Sequence, residues 1–131
     1  MAKVKDAIEE WVKGLKDYQC FPSEFRIVFP RECDGCGEAI SKLRKSMSQQ
    51  FGGTTEWDGD GCWIDPKGKE ICEPVKVLMS AHNCAKLEEA KKIGEAIVEA
   101  TKIANQEAVF ISAGNKFYIL PKEGLIPKEK E

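Results

Sequence analysis

The chain has 131 residues, enough for one domain with a hydrophobic core and too few for two ordinary domains. Its 20 basic and 22 acidic residues give a formal net charge of -2, so it lacks the general basic field that attracts nucleic acid. No apolar run is long enough to span a bilayer, and the first residues, MAKVKDAIEEWVKG, lack the apolar centre of a signal peptide. We therefore expect a single cytoplasmic domain over residues 1–131 that does not enter a membrane.

Apolar residues recur every three or four positions over residues 3–18, which predicts an amphipathic helix within an N-terminal segment, 1–20. This helix would pack on its own domain or contact a second copy or another protein. Alternation over residues 25–29, ended by a proline, predicts the first strand. Residues 38–51 predict a second helix, which ends at a pair of glycines.

Residues 65–69, Asp-Pro-Lys-Gly-Lys, predict a three-residue hairpin loop in which proline presets one turn position and glycine takes the left-handed one. Counting outward from this turn places Cys62 directly opposite Cys72. At a non-hydrogen-bonded pair the Cα atoms approach to about 4.5 Å, within disulfide range. We expect a disulfide between these two cysteines in an oxidising preparation, and two neighbouring thiols in a reducing cytosol.

The strand after this turn alternates in character, and one set is expected to face the core: Ile71, Glu73, Val75, Val77 and Met79. Glu73 is the exception in this set. It is interpreted either as a residue near the strand end that reaches water or as a functional carboxylate.

The last segments complete a recognisable element order. Residues 84–105 predict a third helix with Asn83 as its N-cap, and residues 107–112 and 117–120 predict two further strands. The order β-α-β-β-α-β is the ferredoxin-like split βαβ arrangement, an α+β fold, here with an extra N-terminal helix and an extra C-terminal edge strand. We expect a strand order of 5-4-1-3-2 with the second and third helices on one face. Residues 122–131 are expected to form a flexible tail.

Several short motifs resemble a family of small, uncharacterised bacterial and archaeal proteins with an FGGxT…GxGxW…NQExV pattern. They are Phe51-Gly52-Gly53-Thr54, Gly61-x-Trp63, Asn105-Gln106-Glu107-Ala108-Val109 and Lys116-Phe117-Tyr118-Ile119. The resemblance covers about residues 25 to 120 and implies one α/β domain without assigning an activity. The loop with Cys33 and Cys36 and the N-terminal helix depart from the family pattern.

Six cysteines, at positions 20, 33, 36, 62, 72 and 84, are many for a cytosolic protein. Cytosolic thiols usually stay reduced unless they bind metal, carry out chemistry or belong to a hyperthermophile. The abundance of lysine and glutamate is also compatible with an archaeal-like, thermophilic source.

Four residues form a candidate metal site, in which the tight Cys33-x-x-Cys36 turn supplies two zinc ligands and His82 and Cys84 supply a second pair. The prediction depends on topology: we expect the first and third strands to be adjacent and parallel, so that the segments after their C-terminal ends, 31–37 and 81–84, lie side by side and bring these residues together. Such a four-ligand zinc would be structural. The alternatives are a Cys33–Cys36 or Cys36–Cys84 disulfide, either structural or redox-active, and buried free thiols with His82 hydrogen-bonded at the surface.

The functional prediction is a cytoplasmic binding or regulatory module that associates with a second copy or another protein and has a cysteine-rich site. The chain lacks a recognisable catalytic set, phosphate loop or full calcium loop, since Asp58-Gly59-Asp60-Gly61 is not followed by the further ligands. The alternative is a nucleic-acid-binding protein or small nuclease. RNA-binding sheets of this fold stack bases on exposed aromatics of the central strands, whereas Phe25 and Phe29 are expected to face the helices.

Overall fold

The computed structural model describes residues 6–83 and 85–125. The described chain contains three α-helices, five strands and a final 3₁₀ turn over Lys122–Gly124. In chain order the helices and strands are α1 (Ala7–Lys13), β1 (Ser23–Pro30), α2 (Cys36–Phe51), β2 (Thr55–Ile64), β3 (Glu70–His82), α3 (Leu87–Ile103), β4 (Ala108–Ala113) and β5 (Lys116–Pro121).

The strands form one antiparallel sheet in the order β2-β3-β1-β4-β5. This confirms the predicted α+β fold with ferredoxin-like topology, including the strand order and the extra edge strand. α2 and α3 pack together on one face of the sheet, where apolar side chains from both helices enclose Phe25, Ile27 and Phe29 of β1. The prediction that these two phenylalanines face the helices is therefore confirmed.

The predicted direction of the first and third strands is wrong. β1 and β3 are adjacent but antiparallel, with Ser23 opposite His82 and Pro30 opposite Val75. The reason lies in the hairpin: β3 must run against β2, and β2 runs parallel to β1 because a helix crosses between them. The C-terminal ends of β1 and β3 therefore lie at opposite ends of the sheet, measured along the strand direction.

The predicted core face of β3 is also wrong. Leu78 and Ser80 of β3 are fully buried and face the helices. Val75 and Val77 lie on the other face of the sheet, where they stand opposite Pro30 and Val28 of β1. Ser80 is tolerated under the helices because its hydroxyl donates a hydrogen bond to the Gly53 carbonyl at 2.8 Å.

The packing of α1 and the starting residue of α3 differ from the sequence prediction. α1 buries none of its residues, and Trp11 is 66% exposed, so α1 does not pack on the domain as one interpretation required. α3 begins at Leu87 with Lys86 as its N-cap, where the Glu89 carboxylate accepts from the Lys86 amide at 2.8 Å. The predicted residues 3–5, 84 and 126–131 lie outside the described chain, and Leu125 packs against the core. None of the described helices is long and apolar enough to cross a membrane.

Candidate ligand groove

The sheet face opposite the helices carries a row of apolar side chains. The strand register aligns one residue from each strand across this open face, in the order Trp57, Val77, Val28, Phe110 and Ile119. Both ends of the row and Phe110 are exposed. A sheet with helices on one side normally presents polar residues on the other, so an exposed apolar row marks an interaction surface.

The sequence of β2 makes this face concave. Trp57, Gly59, Gly61 and Trp63 alternate with the other residues of β2 and therefore share the open face. The two glycines leave a gap between the indole rings, and Val75 of β3 forms its floor. A Cβ atom built on Gly61 would lie 3.1 Å from Val75 Cγ1, and one built on Gly59 would lie 3.8 Å from Val75 Cγ2.

The gap continues across the sheet as a groove with a volume of ≈ 480 Å³. Small-molecule sites typically measure about 300–1,000 Å³, so the groove is large enough for an organic ligand. Its surface is mostly apolar, and its principal side chains are Val28, Trp63, Glu73, Val75, Phe110 and Ile119.

Glu73 and Gln106 supply polar groups to this groove. Glu73 is half-buried within β3 and lies opposite Gly61, so no β2 side chain stands directly across from its carboxylate. Glu73 therefore lies within the strand and not at its end, with its side chain on the open face. Gln106, between α3 and β4, lines the groove, and its Nε2 donates to the Ala104 carbonyl at 3.0 Å. An apolar site with a few placed polar groups is typical of ligand pockets.

The acidic residues of β2 belong to a regular strand. β2 pairs with β3 without interruption from Thr55 to Ile64, so Asp58-Gly59-Asp60-Gly61 forms neither a calcium loop nor a turn. Lys76 Nζ lies 2.6 Å from Asp58 Oδ1. This hydrogen bond from Lys76 holds the pKa of the Asp58 carboxyl below its usual value. The Asp58 carboxylate therefore forms an ion pair with Lys76 across β2 and β3.

One disulfide lies near an end of the groove. Cys33 and Cys36 are joined, with Cα atoms 5.1 Å apart, and Cys36 is the first residue of α2. Cys36 is fully buried in the core, whereas Cys33 is exposed. Gln106 Nε2 lies 3.9 Å from Cys33 Sγ, which places the exposed sulfur beside a groove-lining residue.

Among the described residues, the structure does not bring His82 to the Cys33–Cys36 loop as the zinc prediction required. His82 lies opposite Ser23 at the start of β1, whereas the Cys33–Cys36 loop follows the end of β1. The His82 ring stacks on Phe51 at a centroid distance of 4.8 Å. Cys84 lies outside the described residues. Because β1 and β3 are antiparallel, the argument from topology that supported a four-ligand site fails.

A second cysteine pair lies in the β2–β3 hairpin. The predicted register is confirmed: Cys62 lies directly opposite Cys72, their Cα atoms are 4.0 Å apart, and the structure joins them in a disulfide. The ligand atoms of Cys62, Cys72 and Glu70 all lie within 4.8 Å of one another, a group that could hold a metal ion. Glu70 was missed by the sequence analysis. The hairpin register could have identified it, since Glu70 shares a strand face with Cys72.

We expect the two cysteines of the Cys33–Cys36 pair to react at different rates after reduction. Cys33 is exposed and Cys36 is fully buried, so iodoacetamide should modify Cys33 first. Peptide mass spectrometry after timed alkylation of the native, reduced protein measures this order. Unfolding in urea before alkylation should remove the difference, and equal rates in the native protein would contradict the burial of Cys36.

The groove was only partly visible in the sequence. The pattern of β3 identifies Glu73 as an unusual carboxylate in an apolar set, whereas Gly59 and Gly61 entered the predictions only as parts of an incomplete calcium loop and of the Gly61-x-Trp63 motif. The available signal was the spacing Trp-x-Gly-x-Gly-x-Trp, which puts two aromatic rings and a gap on one strand face.

Comparison with known proteins identifies structures with a similar fold but assigns the chain to no family. No family model and no curated protein matches the chain. The chain is similar to two solved structures of a phage SAM lyase. The first, in complex with S-methyl-5′-thioadenosine, has a TM-score of 0.57 and 13% identity, over 84% of this chain and 98% of that chain. The second, in the apo state, has a TM-score of 0.56 and 13% identity, over 82% and 96%. At this identity the likeness establishes the shared fold alone.

Proposed function

We propose that this protein is a binding module that takes a small adenosine-type ligand with a sulfur substituent into the groove of its open sheet face. The observation that carries the proposal is the groove itself: two glycines between Trp57 and Trp63, an apolar floor, and Glu73 opposite one of the glycines. The role does not require catalysis.

The groove chemistry suits each part of such a ligand. Trp63 and Phe110 line it and offer aromatic faces for a purine ring. Glu73 offers a carboxylate, the group that commonly accepts hydrogen bonds from ribose hydroxyls. Val75 and Val28 offer an apolar floor for a thioether. A negative carboxylate beside the apolar surface also favours a neutral or cationic ligand over a phosphate-bearing one.

The comparison adds independent support for this ligand class. The phage SAM lyase that shares the fold was solved with S-methyl-5′-thioadenosine, and nearly the whole of that chain aligns with this one. A shared fold does not carry function with it, so the proposal depends on the groove residues of this chain.

Isothermal titration calorimetry with S-methyl-5′-thioadenosine, adenosine and S-adenosylmethionine tests the proposal. We expect saturable 1:1 binding, tightest for one of the two sulfur-containing ligands. Glu73→Gln should weaken binding by roughly 10- to 150-fold, because a hydrogen bond to a charged group is worth about 1.5–3 kcal/mol. Glu88→Gln, an exposed change on α3, is the matched control and should leave affinity unchanged.

Failure of all three ligands to bind would overturn the proposal. Chromatography of the ligands after incubation distinguishes binding from turnover, since a product peak would replace the binding role with an enzymatic one. An electrophoretic shift with RNA that falls steeply with salt would instead favour the alternative nucleic-acid role.

A second candidate role, self-association, is favoured by the β4–β5 hairpin. Phe117 and Ile119 of β5 are 71% and 70% exposed, and Phe117 stacks on Phe110 at 5.6 Å. β5 is an edge strand that pairs only with β4 in the described chain. Exposed apolar edge strands readily pair with another strand, and a two-fold axis would pair β5 with the same strand of a second copy.

We expect the wild-type protein to be a dimer and Phe117→Lys to be a monomer in multi-angle light scattering after size exclusion. A charge on an edge strand opposes pairing, and Phe117 is not part of the groove lining. A wild-type protein that stays monomeric up to high micromolar concentration would contradict self-association.

A further inference from the structure

The protruding end of the β2–β3 hairpin gathers three metal-ligating side chains. Cys62 and Cys72 face each other across the two strands, and Glu70 lies two residues before Cys72 on the same strand face. Glu70 Oε1 is 3.5 Å from Cys72 Sγ, and the three ligand atoms lie within 4.8 Å of one another. All three residues are exposed, so an ion from solution can reach them.

The hairpin turn holds this arrangement without help from the disulfide. The Asp65 amide donates to the Lys69 carbonyl at 2.8 Å, and the Gly68 amide donates to the Asp65 carbonyl at 2.9 Å. The Asp65 carboxylate also accepts from the amides of Lys67 and Lys69, both at 2.9 Å. These four hydrogen bonds fix the strand register. The two sulfurs therefore remain neighbours when the bond between them is broken.

We propose that reduction of the Cys62–Cys72 disulfide creates a binding site for a zinc-class divalent cation, with Cys62 Sγ, Cys72 Sγ and one Glu70 carboxylate oxygen as ligands. Zinc binds thiolate sulfur at about 2.3 Å and carboxylate oxygen at about 2.0–2.2 Å, so two tetrahedral thiolate ligands lie about 3.8 Å apart. Glu70 Oε1 already lies 3.5 Å from Cys72 Sγ. Once the disulfide is broken, a rotation of the two cysteine side chains moves the sulfurs from bonded to ligating positions. Thiolates select this class over calcium or magnesium.

The reduction is a thiol–disulfide exchange with a cellular dithiol. The Cys62–Cys72 bond breaks, a new sulfur–sulfur bond forms in the dithiol, and its two protons pass to the cysteine sulfurs. Metal binding then releases these two protons to solvent, while the Glu70 carboxylate binds as the anion. In the oxidised protein both sulfurs are bonded to each other and supply no thiolate ligand.

Three protein ligands leave one tetrahedral position for water, so this site differs from a closed four-cysteine structural site. Its metal is expected to exchange with chelators, since all three ligands lie at the surface. The proposed ligands differ from the groove's principal side chains, although Cys62 also borders the groove. Cys62 alternates with Gly61 and Trp63 along β2, and Glu70 and Cys72 alternate with Ile71 and Glu73 along β3, so the ligand side chains lie on the other face of the hairpin.

Metal titration of the full chain tests this inference. The protein is reduced with a phosphine, desalted without oxygen, and titrated with Zn²⁺ against a chromophoric chelator and with Co²⁺ for its thiolate absorption bands. We expect the reduced protein to bind one ion through Cys62 and Cys72, and the oxidised protein to bind none at this site. Glu70→Gln should weaken metal binding at least tenfold. Even residues that only hydrogen-bond to a metal ligand typically contribute about 10–100-fold to metal affinity, and Glu70 is itself a proposed ligand.

Two double variants separate this site from the other cysteines. Cys62→Ser with Cys72→Ser should abolish the thiolate bands, whereas Cys33→Ser with Cys36→Ser should keep them. Native mass spectrometry of both variants checks metal stoichiometry, and circular dichroism checks that each is folded. Binding that survives the first pair of substitutions and disappears with the second would overturn the proposal, as would a reduced wild-type protein that binds no metal.

Discussion

Replacing Gly35 with alanine is expected to lower the free energy of unfolding by roughly 2–5 kcal/mol. Gly35 has φ +82°, a left-handed conformation that costs other residues about 1–2 kcal/mol. The new Cβ would also lie 2.5 Å from the Ile103 carbonyl oxygen, so the α2 N-terminus would have to move away from the end of α3. Overpacking of this kind costs about 1–3 kcal/mol. Urea unfolding monitored by circular dichroism measures the loss.

Gly68→Ala is the matched control for this substitution. Gly68 has the same φ of +82°, but a Cβ built there meets no atom within 4 Å. It should therefore cost only the conformational part, about 1–2 kcal/mol. Equal losses for the two variants would show that the close approach of Gly35 to Ile103 adds nothing to the cost of the Gly35→Ala substitution. That result would contradict the tight packing of the Cys33–Cys36 loop against the end of α3.

The hairpin register was predictable because it depends on local chemistry. Asp65 and Gly68 supply the turn hydrogen bonds and the left-handed position, and these features can be read within five residues. Once the turn is fixed, the pairing of Cys62 with Cys72 follows by counting. The strand order was predictable for a similar reason, since few topologies fit the element order.

The expected convergence of the zinc ligands was wrong for His82 and Cys33 because it required long-range geometry. The convergence of His82 with Cys33 depended on the relative direction of two strands that are distant in sequence, and that direction was assigned incorrectly. The element order itself contained the correction: a hairpin reverses the chain between β2 and β3, and β3 then runs against β1. Local spacing of cysteines cannot supply this information.

The face assignment of β3 failed for a physical reason that points to function. Alternation assigns the more apolar set of residues to the core, but in β3 the set with Val75 and Val77 lies on the open face. The helices instead cover Leu78 and the hydrogen-bonded Ser80. An exposed face that is more apolar than a buried one violates the usual pattern, and such violations are expected where a surface binds a ligand or partner.

Filling the groove at Gly59 is expected to reduce the affinity for S-methyl-5′-thioadenosine at least about a hundredfold, which corresponds to about 2.7 kcal/mol. In Gly59→Leu the side chain would occupy the gap between Trp57 and Trp63. The new Cβ meets Val75 Cγ2 at 3.8 Å, an ordinary contact, so the strand should accept it. Glycine is itself unfavourable in a strand by about 0.5–1 kcal/mol, so stability should be kept or slightly increased. Calorimetric titration and thermal unfolding measure both effects.

Thr55→Leu provides the control for Gly59→Leu. Thr55 lies on the same face of β2 but does not line the groove, so the same leucine there should leave the affinity within about twofold, a change under about 0.5 kcal/mol. Gly59→Ala, which adds only the Cβ atom, should give an intermediate loss. If Gly59→Leu bound the ligand as tightly as the wild-type protein, the ligand would lie elsewhere on the surface and the groove assignment would be wrong.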